Sequence, residues 1–285
     1  MDDNRHYAVV GAGPVGTLLA AALAENGAPF AWVVRNPERR SQLSEICLQF
    51  PEGSRSLSLE QADVHPAMDG IPRSARVLLA VKAQDVSTAL AALPGWNPDS
   101  VVCIGNGLQG GPQGIGLLYG GGFLNSGVLV TNHDSRLVVG GFDTSPARWN
   151  WAGDALGCSF LGCSTSDRMR ELMWHKLAIN CVVNPLTAML DCDNGDLLGR
   201  LHGPLVQSIL SETQQVMSRV LEPAASVPTT AELLLSIKEV LRTTRCNSSS
   251  MREDLRRGRK TEVRQINGAV VAEGARLGLS CPVNA

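Results

Sequence analysis

Six residues near the amino terminus limit what this chain can fold into more than any other stretch: Gly11-Ala12-Gly13-Pro14-Val15-Gly16, a G-x-G-x-x-G. The apolar run Tyr7-Ala8-Val9-Val10 before it has strand length, and residues 17–25 (TLLAAALAE) after it read as a helix stopped at Asn26-Gly27. In that setting the first glycine permits a tight turn and the second lets a phosphate approach the backbone. The third allows the helix to pack closely on the strand. Free N–H groups and the helix dipole then favour a bound anion. The hexapeptide alone is a weak signal, but between a strand and a helix it predicts a dinucleotide-binding loop. Gly11, Gly13, Pro14, Val15 and Gly16 are its candidate residues.

The same grammar continues. Residues 30–34, 76–81 and 101–104 are apolar runs of strand length, and residues 85–93 form a helical stretch ended by Pro94-Gly95. Continuous apolar strands separated by helices predict a parallel sheet covered on both faces. Gly-rich residues 120–141 hold two short strands, VLVTN and RLVVGG, expected to extend the sheet in antiparallel fashion. Beyond about residue 168 the pattern becomes helical: residues 169–183 up to Pro185, then 205–221, 230–243 and 263–277. The predicted fold class is α/β plus all-α. A Rossmann-type domain occupies residues 1–167, a helical domain occupies residues 168–285, and the active site is expected in the cleft between them.

Composition excludes several alternatives. With 25 Lys+Arg against 27 Asp+Glu and a net charge of −2 over 285 residues, the chain lacks the basic excess of a nucleic-acid binder. No window approaches a membrane span, and polar residues 1–7 do not resemble a secretory signal, so a cytoplasmic location is expected. The eight cysteines include no Cys-x-x-Cys and several lie in apolar runs, which reads as reduced buried thiols. The five histidines form no ligand spacing, so no metal is expected.

Two features address the chemistry. The second strand ends Val33-Val34-Arg35, where an NAD site would carry an acidic residue for the ribose 2′-hydroxyl. A guanidinium instead suits a 2′-phosphate, so Arg35 favours NADP(H) over NAD(H). Arg39 and Arg40 behind it are better read as a solvated basic turn. Farther on, Lys176, Asn180 and Asn184 recur at i, i+4 and i+8, on one helical face in an otherwise apolar stretch. A solvated face and a polar line directed at a ligand both fit. Two poor helix formers among apolar neighbours favour the second. Ser248-Ser249-Ser250 before Arg252-Glu253-Asp254 looks like a helix start with an acidic first turn, where Ser250 is either a plain cap or a carboxylate ligand. Glu262 is, on local pattern, a surface carboxylate or a site residue.

Taken together these motifs resemble the ketopantoate reductase (2-dehydropantoate 2-reductase) family. The resemblance rests on GAGPVG, Val33-Val34-Arg35, Ala80-Val81-Lys82-Ala83 and Gly105-Asn106-Gly107-Leu108. It continues in W-x-K-L-x-x-N-x-x-x-N-P-L-T-A from Trp174 and SSM-x-x-D-L-x-x-G-R-x-T-E-V-x-x-I-N-G from Ser249, and so spans almost the whole chain. It implies Lys176 as the general acid and Glu262 as the carboxylate that holds substrate and positions that lysine. It implies Asn180, Asn184 and Ser250 as substrate ligands, and Asn106 facing both nicotinamide and substrate. Lys82 is implied near the cofactor and Arg35 at the 2′-phosphate.

The expected activity is NADPH-dependent reduction of 2-dehydropantoate (ketopantoate) to (R)-pantoate, in the pathway to pantothenate and coenzyme A. The implied partners are a small 2-oxo acid, no nucleic acid, no membrane and a possible second copy in a homodimer. The alternatives are reduction of another 2-oxo acid and a non-catalytic NADPH sensor, against which the joint presence of Lys176 and Glu262 argues. The chain departs from the family pattern at Gly105, where Gln is common, at Asp85 after Lys82, and across residues 121–141. Residues 281–285 resemble the family's last turn before a final helix.

Overall fold

A computed structural model describes residues 7–41, 43–69, 71–93, 95–108, 113–120, 122–131, 134–142, 144–221 and 226–285. The chain divides into two compact units, one grouping residues 1–105 with 109–169 and the other residues 106–108 with 170–285. The first unit is an α/β sheet domain and the second is helical.

Within the described residues the first unit carries twelve strands and four α-helices. In chain order they are β1 (Tyr7–Val10), α1 (Pro14–Glu25), β2 (Phe30–Val33), α2 (Pro37–Ser41), β3 (Glu45–Phe50), β4 (Gly53–Ser58), β5 (Ala62–His65) and β6 (Arg76–Leu79). There follow α3 (Val86–Ala91), β7 (Val101–Ile104), β8 (Gly114–Tyr119), β9 (Gly122–Asn125), β10 (Val128–Thr131), β11 (Ser135–Gly140), α4 (Asn150–Leu156) and β12 (Leu161–Thr165). The main sheet has the order β12-β11-β8-β7-β6-β1-β2-β5. From β5 to β8 it is parallel throughout, with Val9 opposite Trp32 on one side and Leu78 on the other.

Side chains alternate across this sheet as the pleat requires. Val9, Trp32, Leu78 and Val102 pack with Leu18, Leu19 and Leu23 of α1 and with α4. Ala8, Val10, Val77, Leu79 and Cys103 pack on the other face with Ile71, Leu90 and Leu93. Burial on both faces is why these strands read as unbroken apolar runs. From β1 the chain moves outward to β2 and β5, then crosses back to pair β6 with the other edge of β1. That reversal is a topological switch point, where ligands bind beyond the carboxyl ends of the strands. The glycine loop leaves β1 there.

Residues 120–141 depart from the expected extension. β11 does pair antiparallel with β8 in the main sheet, but VLVT, as β10, leaves it. β10 lies parallel to β3 and antiparallel to β9 in a second sheet of order β4-β3-β10-β9. β4 (GSRSLS) is polar and largely exposed, held by its register with β3, so its sequence carries no strand pattern.

The second unit contains α5 (Met169–Leu190), α6 (Pro204–Val220), α7 (Thr230–Thr243), α8 (Ser250–Arg256) and α9 (Asn267–Arg276). Met169 is the last residue grouped with the first unit. α5 does not stop at Pro185 as expected but runs five residues beyond it. Proline has no N–H to give to the carbonyl four residues earlier, which leaves the oxygen of Cys181 without its helical donor. Asn267, at the start of α9, supplies the replacement: its buried amide donates to that oxygen at 3.0 Å. The helix passes through the proline because another helix provides the missing donor. On α6, Val206, Ile209, Leu210, Thr213, Val216 and Met217 form the buried stripe.

Candidate active site

In the first unit the glycine loop is fixed from behind by β2. Gly11 donates to the carbonyl of Val33 at 3.1 Å, and the indole of Trp32 donates to the carbonyl of Gly11 at 2.9 Å. Gly11 sits at φ +113°, and a Cβ there would collide with the carbonyl of Ala80, just after β6. A Cβ on Gly16 would strike the carbonyl of Gly11, so this glycine is required for α1 to close on the turn. Gly13 differs. It is the N-cap of α1 with φ −76° and ψ −176°, which any residue adopts, and a Cβ there would meet nothing within 4 Å. Packing of the protein therefore requires two of the glycines and does not require the third. Pro14 begins α1, where its missing N–H costs nothing, and Val15 follows it.

The basic turn after β2 is not arranged as expected. Arg35 is exposed, whereas Arg39 is drawn in and donates from Nη2 to the hydroxyl of Thr17 in the first turns of α1, at 3.1 Å. Arg40 donates to the carbonyl of Val34 at 3.2 Å. The reading of Arg39 and Arg40 as a solvated turn is therefore corrected: both are half-buried, and Arg39 reaches the helix that follows the glycine loop. Lys82 precedes a short 3-10 turn, Ala83–Asp85, at the carboxyl end of β6.

In the second unit three separate segments meet. Asn106 donates from Nδ2 to Oε2 of Glu262 at 3.2 Å, across 156 residues of sequence. Gly107 beside it has φ +84° and presses so closely on the carbonyl of Gln265 that a side chain would collide. The Asn-Gly turn therefore holds its asparagine against Glu262. Glu262 is 8% exposed, which sets aside the surface-carboxylate alternative. Lys176 on α5 lies close enough for the Glu262 charge to favour its ammonium form, but burial outweighs this and pulls its pKa down to about 8. The structure thus brings Asn106, Lys176 and Glu262 together.

Asn184 is buried and Asn180 half-buried, farther along α5. Among the described residues neither side-chain amide has a hydrogen-bond partner within the protein, and neither is sealed from solvent. At α8 the cap is Ser249, whose hydroxyl accepts from the backbone N–H of Arg252 at 3.2 Å and meets the Thr187 hydroxyl at 2.7 Å. Ser250 is thereby relieved of the cap role and stands exposed.

The sequence reading missed the support of this segment. Buried Arg252 donates to Asp191 at 2.8 Å from Nε, to the Asp191 carbonyl at 2.8 Å from Nη2, and to Asp193 from Nη1. Arg256 shares Asp191 at 2.8 Å. These ion pairs fasten the start of α8 to the turn after α5, and partners some sixty positions apart leave no local signal. Among the described residues no group of His, Cys, Asp and Glu could hold a metal ion, and no helix is long and apolar enough to cross a membrane.

The comparisons with known proteins accord with this arrangement. Residues 7–113 match the family profile described as Ketopantoate reductase PanE/ApbA, and residues 168–285 match its partner, Ketopantoate reductase PanE/ApbA C terminal. A 2-dehydropantoate 2-reductase of Vibrio cholerae is 29% identical over 97% of this chain and 93% of its own. The crystal structure of a 2-dehydropantoate 2-reductase from Geobacter metallireducens superposes with a TM-score of 0.82 at 20% identity, covering 98% of this chain and 96% of that one. A D-mandelate dehydrogenase solved with NADH and anilino(oxo)acetate shares the fold, with a TM-score of 0.81 at 18% identity over 98% and 94% of the two chains. A glycine loop at a switch point, a helical unit that sets a lysine beside a buried carboxylate, and two profiles that cover both units lead to one assignment: this chain belongs to the ketopantoate reductase family of oxidoreductases, which reduce a ketone to an alcohol.

Proposed function

We propose that the protein reduces 2-dehydropantoate to (R)-pantoate with NADPH. Residues 1–167 are assigned to the cofactor and residues 168–285 to the substrate. The observation that carries this reading is Lys176, an ammonium held near pKa 8 with Glu262 beside it. Charge develops on the carbonyl oxygen of a ketone as it is reduced, and a proton donor with a pKa close to the operating pH serves that oxygen best. Asn180 and Asn184 bring unpartnered amides for the hydroxyl and carbonyl oxygens of the substrate, and Ser250 brings a hydroxyl for its carboxylate. Glu262 keeps Lys176 charged and, through Asn106, fixes the turn that leads back to β7.

The residues of the first unit fit a nicotinamide dinucleotide. Gly13 leaves backbone open where a pyrophosphate approaches, at a helix N-terminus that favours anions. When bound, the reduced cofactor supplies the hydride, while the protein supplies orientation and electrostatics. Arg35, together with the absence of an acidic residue at the end of β2, supports NADP(H) over NAD(H). Asn106 is assigned to the nicotinamide and Lys82 to the loop near the cofactor, and a cytoplasmic location and a homodimer suit this reading.

The test is oxidation of NADPH, followed by loss of its absorbance, with 2-dehydropantoate and a panel of other 2-oxo acids. Turnover fastest with 2-dehydropantoate is expected. Faster turnover with another member of the panel replaces the substrate, and no turnover with any of them removes the enzymatic reading in favour of a sensor.

A further inference from the structure

Among the described residues of the first unit, Arg39 carries a half-buried guanidinium with which no carboxylate pairs. It donates one hydrogen bond, to the neutral hydroxyl oxygen of Thr17. Its Nε is shielded from solvent and has no hydrogen-bond partner. Loss of solvent pulls its pKa below the ordinary arginine value, with no nearby anion to oppose the shift. A charge drawn out of water without a counter-ion is costly. The neighbours do not explain the cost: Arg40 is held by the carbonyl of Val34, and exposed Arg35 would remain solvated in either case.

The position says which anion would offset it. Arg39 stands on the short helix that follows β2, and in a sheet wound this way the end of β2 lies at the ribose of the adenosine half. Its tether, Thr17, is on α1 four residues after the N-cap Gly13, so the guanidinium is held beside the loop and not swept through solvent. Nε and one Nη of a guanidinium form a fork that matches two oxygens of a phosphate. We propose that Arg39, held by Thr17, is a second and pre-positioned ligand for a phosphate monoester on the adenosine ribose, and that it contributes more to the choice of NADPH over NADH than exposed Arg35 does. This rests on the NADPH reading above and adds a specific residue pair to it. The physical reason is preorganisation, since a tethered side chain has less freedom to lose on binding than one in solvent.

The probes are adenosine 2′,5′-bisphosphate and 5′-AMP, titrated calorimetrically into the full-length protein. The wild type is expected to bind the bisphosphate at least tenfold more tightly. Arg39→Met should lower bisphosphate affinity about tenfold or more and change 5′-AMP affinity less than twofold, a larger effect than that of Arg35→Met. Thr17→Val removes only the tether and should cost the bisphosphate about threefold, with Thr17→Ser restoring it. This pair decides the matter if Arg39→Met fails to fold. Equal losses for both nucleotides, or no loss in either Arg39→Met or Thr17→Val, overturn the role of Arg39 and leave the NADPH reading standing. A wild type that does not distinguish the two nucleotides overturns the NADPH reading itself.

Discussion

The glycine loop and the Lys176 cluster place functional groups by opposite means. The loop is six consecutive residues whose proposed ligand groups are backbone N–H donors, and its geometry follows from β1, β2 and the first turn of α1. The cluster draws Asn106, Lys176 and Glu262 from three distant segments, and its useful groups are side chains whose behaviour depends on burial and on one another. A contiguous backbone site can be damaged by adding a methyl group. A dispersed side-chain site is damaged by removing a charge or an amide.

The sharpest division between the two comes from Lys176→Ala. Loss of the proposed general acid should lower kcat by about 10²–10⁴ while calorimetric binding of NADPH stays close to wild type. An unchanged kcat would separate the cluster from the chemistry. Within the loop, Gly16→Ala should destabilise the protein by roughly 1–3 kcal/mol because its Cβ meets the carbonyl of Gly11. Gly13→Val, with open space around its Cβ, should leave the unfolding midpoint in denaturant nearly unchanged and weaken NADPH binding tenfold or more. If both glycine variants unfold alike, the loop is structural throughout and the contrast between Gly13 and Gly16 disappears.

The helical unit can be examined apart from its chemistry. Asn267→Leu leaves the oxygen of Cys181 buried without a donor, at a cost of about 1–3 kcal/mol. Pro185→Ala returns a backbone N–H to that oxygen, so the double variant should recover part of the loss, measured as a coupling energy in urea unfolding. Additive losses would disprove the exchange of donors. The smallest effect is on pH. In the proposed mechanism Lys176 is the acid in its protonated form, and with its pKa lowered to about 8 the reductive kcat should be level below that value and fall as pH rises through it. The reverse oxidation should rise over the same interval. A reductive rate that stays level to pH 10 would mean that the proton comes from elsewhere.

Legibility followed the same divide. The four central strands of the parallel sheet, β1, β2, β6 and β7, were readable because burial on both faces leaves largely unbroken apolar runs. β3, β4, β5, β8, β9 and β12 lie outside the strands predicted from sequence, and β4 could not have been among them, since its polar residues are in a strand only because β3 pairs with them. The extent of α5 was misjudged because a proline inside a helix is normally fatal, and its remedy, Asn267, lies eighty-two positions away in sequence.

At the site, the positions of Lys176, Asn180 and Asn184 along one helical face followed from spacing, whereas the burial of Glu262 and the grip of Asn106 upon it did not. The exposure of Arg35 and the tethering of Arg39 were not legible either, because both are basic residues of one turn and only packing separates a solvated arginine from a tethered one.

By itself the sequence determined the layered order of the chain, the glycine loop and the family, because periodicity and short-range sterics are written in adjacent residues. Tertiary structure alone decided which glycines packing requires, which arginine of the turn after β2 is tethered and that burial lowers the pKa of Lys176. Those properties depend on what surrounds a group in space, and desolvation and long-range pairing have no signature at the position where they act.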